Sequence, residues 1–486
     1  MAIPTESGPG NDVRFTLPEE AFRLGEAIAR EGGRPLLVGG WVRDCLLGNP
    51  HSKDFDIEVF GMAPAKLKAV LGRFGAVHAV GRHFGVLKLV QHGLEFDVSV
   101  PRRESKTGKG HKGFWVVPDP HMSFEDAAAR RDFTINAMGY EFLERRFLDP
   151  FRGLEDLRGR VLRHVGPAFG EDPLRVFRAM QFAGRFGLHI APETLAICRG
   201  QDLAELPKER IWEEVKKLML RAPRPSEGWA YAQPLGVLEM LPELAALRRL
   251  EPQHPISGAA ADSPLRPPAG PWSRALAVVD AAAQVTERDA DERLQLTLAA
   301  LCHELGRTQP GLEAATFDAA LAQAAVAPAQ ALLARLTNQP DLSKGVSALL
   351  LELPAVEALY AARAAVTDGA IRRLSLRVSI SFLLHLATAR CRVVHALPAH
   401  QPCQAAQWLE ERASALGVLT GPPDPLLKGR HLLEAGLHPG PHMGDLLREA
   451  FELQLDGELR TVEDALDWLQ RAHPELRRPR RHGDGR

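Results

Sequence analysis

The chain has 486 residues, 45% hydrophobic and 25% charged, with a formal net charge of −1 at pH 7. That length has room for two to four domains with sizeable cores. The near-neutral balance excludes a chain-wide pull toward polyanions, so nucleic-acid contact would rest on local basic surface such as residues 102–112, 208–217 and 477–481.

Residues 1–12 lack the basic-then-apolar pattern of a signal segment, and no apolar run reads as long enough to span a bilayer, so no membrane partner is expected. Leu36-Leu37-Val38 reads as a short buried strand. Gly39-Gly40 lets the backbone approach a ligand closely, and residues 41–47 have helical composition with Arg43-Asp44 in the first turn. A helix start free of obstructing side chains is a seat for phosphate. After the turn signal Gly48-Asn49-Pro50, residues 55–59 read as a strand whose period of two puts Asp54 and Asp56 on one face. Two carboxylates there can share Mg²⁺ ions that polarise a triphosphate and activate a hydroxyl. Alone, a Gly-Gly is usually a turn and an Asp-x-Asp a solvated strand end; the strand-turn-helix-strand order joins them.

The alternating strand 95–100 carries Glu95 and Asp97 on one face, and the basic, glycine-rich residues 101–114 read as a loop. Arg130, Arg131, Asp132 and Asn136 follow, a cluster that suits a ribose triphosphate, guanidiniums forking onto phosphate and a carboxylate accepting from sugar hydroxyls. Glu171-Asp172-Pro173 is a helix start, so Asp172, Arg175 and Arg178 are expected along one helical face with carboxylate beside guanidinium. An acceptor next to a donor matches the base edge of cytosine or adenine, an amine beside a ring nitrogen. Uracil and guanine present the reverse order, and rejecting them leaves buried groups unpaired at about 1–3 kcal/mol each.

These blocks, in this order between residues 35 and 220, resemble the class II tRNA nucleotidyltransferases, the CCA-adding family of the polymerase β-like superfamily. Residues 149–157 resemble that family's hinge between head and neck, and residues 206–214 its neck-supporting motif. The resemblance implies that Gly39, Gly40 and Arg43 hold the triphosphate and that Asp54 and Asp56 bind two Mg²⁺ ions. Asp97 would help activate the primer hydroxyl. Arg131, Asp132 and Asn136 would contact sugar and phosphate, Asp172 and Arg175 would template the base, and Arg178 would reach phosphate. Gln181 stands where some members carry another arginine. The family's flexible segment needed for the final A corresponds to residues 101–114. The implied partners are CTP, ATP and the 3′ acceptor end of tRNA. The rival readings are an enzyme that adds only A or only CC, a bacterial poly(A) polymerase, from which the pattern at residues 81–89 differs, and a catalytically silent tRNA-binding protein.

From Leu154 onward strand signals fade and helical periodicity takes over. The expected class is α+β: a small mixed-sheet head at 16–153 after a flexible 1–15, a helical neck at 154–250, a linker at 251–271, a helical module at 272–400, a helical tail at 401–475 and a basic, disordered end at 476–486. The module at 272–400 resembles HD-type phosphohydrolases. Arg274 stands where that family's first ligand histidine is expected, and Glu304 follows His303 in place of aspartate, so the module is read as a scaffold without hydrolase chemistry. Cys45, Cys198, Cys302, Cys391 and Cys403, with no Cys-x-x-Cys pair, read as neither a disulfide framework nor a zinc site and point to a reducing cytoplasm. Oligomeric state is not legible.

Overall fold

The computed structural model describes residues 13, 15–49, 54–80, 85–106, 114–252, 268–285, 288–398, 401–472 and 474. The N-terminal lead-in, the Gly81–Phe84 part of the pattern that argues against polyadenylation, most of the 251–271 linker and the basic end at 476–486 fall outside these. The chain divides into two compact units, residues 1–218 with 227–240, and residues 219–226 with 241–486.

The first unit is built on a seven-stranded mixed sheet. Its strands are β1 (Arg34–Val38), β2 (Asp54–Phe60), β3 (Val77–Val80), β4 (Val86–Gln91) and β5 (Leu94–Ser99). A ribbon of β6 (Arg102–Lys106) and β7 (Phe114–Pro118) follows, and β8 (Gly139–Glu141) and β9 (Arg146–Leu148) complete the sheet. The sheet order is β3-β4-β5-β2-β1-β8-β9. Only β2 and β5 pair in parallel; all other neighbours in the sheet are antiparallel. Along β2 the alternation is strict at its start: Phe55, Ile57 and Val59 are buried while Asp54 and Asp56 are exposed. Residues 102–106, expected within a loop, instead form β6, because the aromatic and β-branched run Phe114-Trp115-Val116-Val117 supplies an antiparallel partner. The connecting residues 107–113, the heart of the expected flexible segment, lie outside the described residues.

Helices cover this sheet: α1 (Glu19–Arg30), α2 (Gly40–Leu46), α3 (Pro64–Leu71) and α4 (Phe124–Ala129). In α1 the buried residues Ala21, Leu24, Gly25 and Ile28 recur at helical spacing and give it one apolar face. The hinge stretch is locked by Asp149, whose carboxylate accepts the backbone N–H groups of Gly153 (2.6 Å) and Leu154 (2.9 Å) at the start of α5 (Gly153–Arg158). A side chain at Gly153 would collide with the Thr134 carbonyl, so glycine is required for α5 to lie against the turn Thr134–Asn136. Asp156 on α5 then accepts from the Thr134 hydroxyl at 2.7 Å. After α5 come α6 (Leu174–Phe186), α7 (Pro192–Arg199) and α8 (Lys208–Arg221), with only the two-residue strands Val161–Leu162 and His189–Ile190 between them.

Within the second unit α9 (Pro271–Ala283) packs on α10 (Ala290–Cys302), and α11 (Ala319–Leu336) on α12 (Pro340–Ala361). Helix α11, with a mean hydropathy of 1.2, reaches the length and composition of a membrane span, correcting the expectation that no run would do so. Its Leu321, Ala325, Leu332 and Leu336 are buried within this unit. The cysteine reading is also corrected: Cys391 and Cys403 are bonded, their Cα atoms 6.2 Å apart. Cys391 lies within the helix Ile380–Val394 and Cys403 directly precedes the helix Gln404–Ala415, a juxtaposition over 12 residues that spacing alone does not reveal. Cys45, Cys198 and Cys302 are free thiols.

Candidate active site

The acidic cluster follows from strand pairing. In the parallel β2–β5 register Asp54 lies beside Glu95 and Asp56 beside Asp97. Asp56 is exposed as a residue, but the protein atoms packed around its carboxyl desolvate it and hold it above the usual aspartate range, with Asp97 and Asp54 adding to this and Arg131 and Arg43 pulling it back. Asp97 is raised in the same way, by burial first and then by Glu95 and Asp54 against the pull of Lys88. Lys88, its neighbour on β4, is engaged with Glu95. Asp97 Oδ1 is buried with no hydrogen-bond partner among the described residues.

Above these carboxylates runs the double-glycine turn. Gly39 has φ +71°, a conformation that L side chains rarely adopt, and a Cβ there would stand 3.0 Å from Arg131 Nη1 and 3.5 Å from Asp56 Oδ2. Gly39, Arg131 and Asp56 therefore meet at one point, with the start of α2 immediately beyond. Arg131 also reaches Glu58 at 3.4 Å, while its Nε is buried without a partner among the described residues.

The remaining residues of the second block form a buried network. Arg43, 4% exposed, donates from Nη1 to Asn136 Oδ1 at 2.5 Å and from Nη2 to Asp44 at 2.7 Å, and its guanidinium lies over the Phe186 ring at 4.4 Å. Asn136 donates in turn to Asp132 Oδ1 at 2.9 Å. Asp132 also accepts from the Phe133 N–H at 2.8 Å and from Arg178 Nε at 2.7 Å. Burial opposes the Asp132 charge, but Arg178, Asn136 and Phe133 together outweigh it and hold the carboxyl below its ordinary range. Residues drawn from α2, the 132–136 turn and α6 are thus tied into one chain of contacts. Gln181, where an arginine was considered, is 1% exposed with Nε2 unpartnered among the described residues.

The third block differs from expectation. Asp172 is extended (φ −125°, ψ 102°) and ends the turn Pro167–Glu171, so it precedes α6 instead of sharing a helical face with Arg175. Arg175 donates to two backbone carbonyls, Ala168 at 2.7 Å and Arg130 at 2.8 Å. The guanidinium at Asp172 comes from Arg210 on α8, with Nη2 at 2.9 Å and Nη1 at 3.4 Å. Sequence reading placed Arg210 and Glu214 in the neck-supporting motif at 206–214 and assigned neither to the site, although the Glu214 carboxylate lies 3.7 Å from Arg178. The available signal was the stripe Arg210, Glu214, Lys217 at i, i+4, i+7 along α8.

The donor set fits a hard divalent cation. Burial first, and neighbouring carboxylates after it, raises the pKa of Asp56 and of Asp97, and a buried Asp97 oxygen lacks a partner among the described residues. No group of three or more His, Cys, Asp or Glu side chains is arranged around a single point among the described residues. Magnesium commonly takes one or two carboxylates and completes its shell with phosphate oxygens and water.

Residues 36–163 match the family described as the Poly A polymerase head domain, and residues 187–247 match the one described as a probable RNA and SrmB-binding site of polymerase A. A multifunctional CCA protein of Xylella fastidiosa (strain M12) is 37% identical over 313 residues, covering 63% of this chain and 70% of that protein. The chain belongs to the multifunctional CCA protein family. Its fold is also that of more distant CCA-adding enzymes. The Bacillus stearothermophilus enzyme, solved in complex with CTP, superposes with a TM-score of 0.60 at 23% identity over 94% of this chain and 98% of that one. The Thermotoga maritima enzyme complexed with tRNA gives 0.55 at 19% identity over 94% and 96%. The α+β class, a mixed-sheet head followed by helices, is shared with both.

In the second unit of this multifunctional CCA protein relative, Glu304 is fully buried and accepts from Arg274 Nε at 2.8 Å, with Arg307 on its other oxygen and His303 Nε2 3.4 Å away. His303 Nδ1 is engaged with the Ala300 carbonyl at 2.7 Å. A fixed guanidinium thus sits on the carboxylate that a metal would need.

Proposed function

We propose that the chain is a template-independent nucleotidyltransferase that adds CCA to the 3′ end of tRNA from CTP and ATP. The observation that carries this reading is the meeting of Asp56, Gly39 and Arg131 beside Asp97, in a chain whose relatives are named as CCA proteins.

Asp54 and Asp56 would hold divalent metal, taken here as Mg²⁺, which when bound polarises the α-phosphate and lowers the pKa of an attacking hydroxyl. Gly39 and Gly40 bring bare backbone and the start of α2 to the triphosphate, and Arg131 donates to its oxygens. Asp97, with a free buried oxygen, accepts toward the primer 3′-hydroxyl. That hydroxyl attacks the α-phosphate in line; the new P–O bond forms as the α–β bond breaks and pyrophosphate leaves. The buried links among Arg43, Asn136, Asp132 and Arg178 hold the sugar and phosphate contacts in register with α6. Asp172 accepts from the amine that cytosine and adenine share. The second unit serves as scaffold, its metal position closed by Arg274.

The test uses purified protein and three tRNA transcripts ending before CCA, after C and after CC, with labelled CTP and ATP. All three are expected to finish in CCA. Extension of only some primers assigns a partial activity instead, and long A tracts on unrelated RNA assign a poly(A) polymerase.

A further inference from the structure

The backbone of Arg131 is fixed where the chain leaves α4: its N–H donates to the Ala128 carbonyl at 3.0 Å, and Ala128 belongs to the buried cluster of Leu36, Val38, Phe60 and Phe124. The side chain beyond is long and rotamer-rich, so a guanidinium that must meet a nucleotide needs a partner to select one arrangement. Its Nη1 faces the double-glycine turn, 3.0 Å from where a Cβ on Gly39 would stand, and its Nε is buried without a partner among the described residues. Its Nη2 lies 3.4 Å from Glu58 Oε2. Glu58 follows Asp56 by two residues on β2, which puts it on the same strand face as Asp54 and Asp56. The Glu58 side chain is 14% exposed and that of Arg131 25%, so water screens this pair less than it screens a surface ion pair. Asp56 faces the same point, with Oδ2 3.5 Å from the Gly39 position. A guanidinium released from Glu58 would be drawn to that carboxylate and would compete there with a metal ion.

We propose that Glu58 is a positioning residue for nucleotide binding: it holds Arg131 by one terminal nitrogen, turns the other toward the double-glycine turn and keeps the guanidinium off Asp56. This rests on the nucleotidyl-transfer reading above. The guanidinium is planar, so an anchor at Nη2 also sets the direction in which Nη1 donates. Glu58 itself touches neither nucleotide nor metal, and its whole effect passes through Arg131. A carboxylate is needed for this, since a neutral amide in its place offers Arg131 a weaker acceptor than the ionised Asp56 nearby.

The test is a double-variant cycle of wild type, Glu58→Gln, Arg131→Gln and the two together. Steady-state incorporation from CTP onto a tRNA transcript lacking its last three residues is measured for each, with primer-free titration of CTP in Mg²⁺ and a melting curve. Glu58→Gln is expected to raise KM and weaken CTP binding about tenfold, with a smaller change in kcat. In the Arg131→Gln background the same substitution should alter either quantity by no more than about twofold, because the group through which it acts is gone. Three results overturn the proposal: full, additive effects of Glu58→Gln in both backgrounds; a loss confined to kcat with CTP binding as in wild type, which would make Glu58 a metal ligand; or a lower melting temperature with KM and CTP binding unchanged. Glu58→Asp, which keeps the charge one methylene short of Arg131, enters the same cycle if Glu58→Gln fails to fold. The two readings fail differently: wild type inactive on tRNA overturns nucleotidyl transfer, whereas active wild type with additive variants overturns the role of Glu58 alone.

Discussion

Asp56 and Asp97 are register partners across the parallel β2–β5 pair, and both carboxyls are held above the usual aspartate range. Two like charges this placed oppose one another until a cation arrives. Removing one should therefore separate stability from activity. Asp56→Asn is expected to melt no lower than wild type without metal, to gain less than wild type on adding Mg²⁺ or Mn²⁺, and to lose at least about three orders of magnitude in incorporation. Calorimetry with and without metal, together with a tRNA-binding assay that stays near wild type, checks it.

Gly39→Ala should act on the triphosphate seat. The φ of +71° would strain an alanine by about 1–3 kcal/mol, and its Cβ, 3.0 Å from Arg131 Nη1, would push that guanidinium away. KM for both nucleotides should rise while tRNA affinity is unchanged, as read from steady-state kinetics and a binding titration.

Asp132 sits between Asn136 and Arg178 in a buried network. Asp132→Ala leaves Arg178 without its closest carboxylate and is expected to cost about 3–5 kcal/mol. Urea unfolding measures it. Asp132→Asn, which keeps the shape and an acceptor oxygen, should cost less and still raise nucleotide KM.

Glu304 gives the pH dependence. Burial works against its charge, but His303 and Arg274 outweigh burial and depress its pKa well below the ordinary 4.5. A depressed carboxylate contributes stability that is complete above the unfolded value and is lost as pH falls through the folded one. Melting of the wild type should therefore decline on acidification below about pH 4.5. In Glu304→Gln that dependence should flatten, and the pH 7 stability should drop by about 3 kcal/mol. With Arg274 on this carboxylate, added Mn²⁺ or Ni²⁺ should elicit no phosphatase activity toward p-nitrophenyl phosphate.

What could be read in the sequence was local. The period of β2 put Asp54 and Asp56 on one face, and the double glycine ahead of α2 was visible because a turn residue, a strand and a helix follow within a few positions. Arg274 and Glu304 were recognisable by residue type as a poor metal pair, and the structure adds that they bind each other. Contacts made across the fold were not visible. Arg210 meets Asp172 over 38 residues of sequence and Arg178 meets Asp132 over 46, and no helical or strand period links such positions. Glu171-Asp172-Pro173 does begin a helix, but the shared face expected for Asp172 and Arg175 does not form because Pro173 caps α6 and leaves Asp172 extended ahead of it. The Cys391–Cys403 bond escaped for a similar reason, since the two cysteines belong to two different helices and no period links them.

The most direct measurement is the mass of the 3′-end formed when a tRNA transcript lacking its terminal triplet is incubated with the protein, Mg²⁺ and all four nucleoside triphosphates at equal concentration. The account predicts a single product longer by two cytidylates and one adenylate, absent with Asp56→Asn. A ladder containing U or G, a run of adenylates, or an unextended transcript would contradict it.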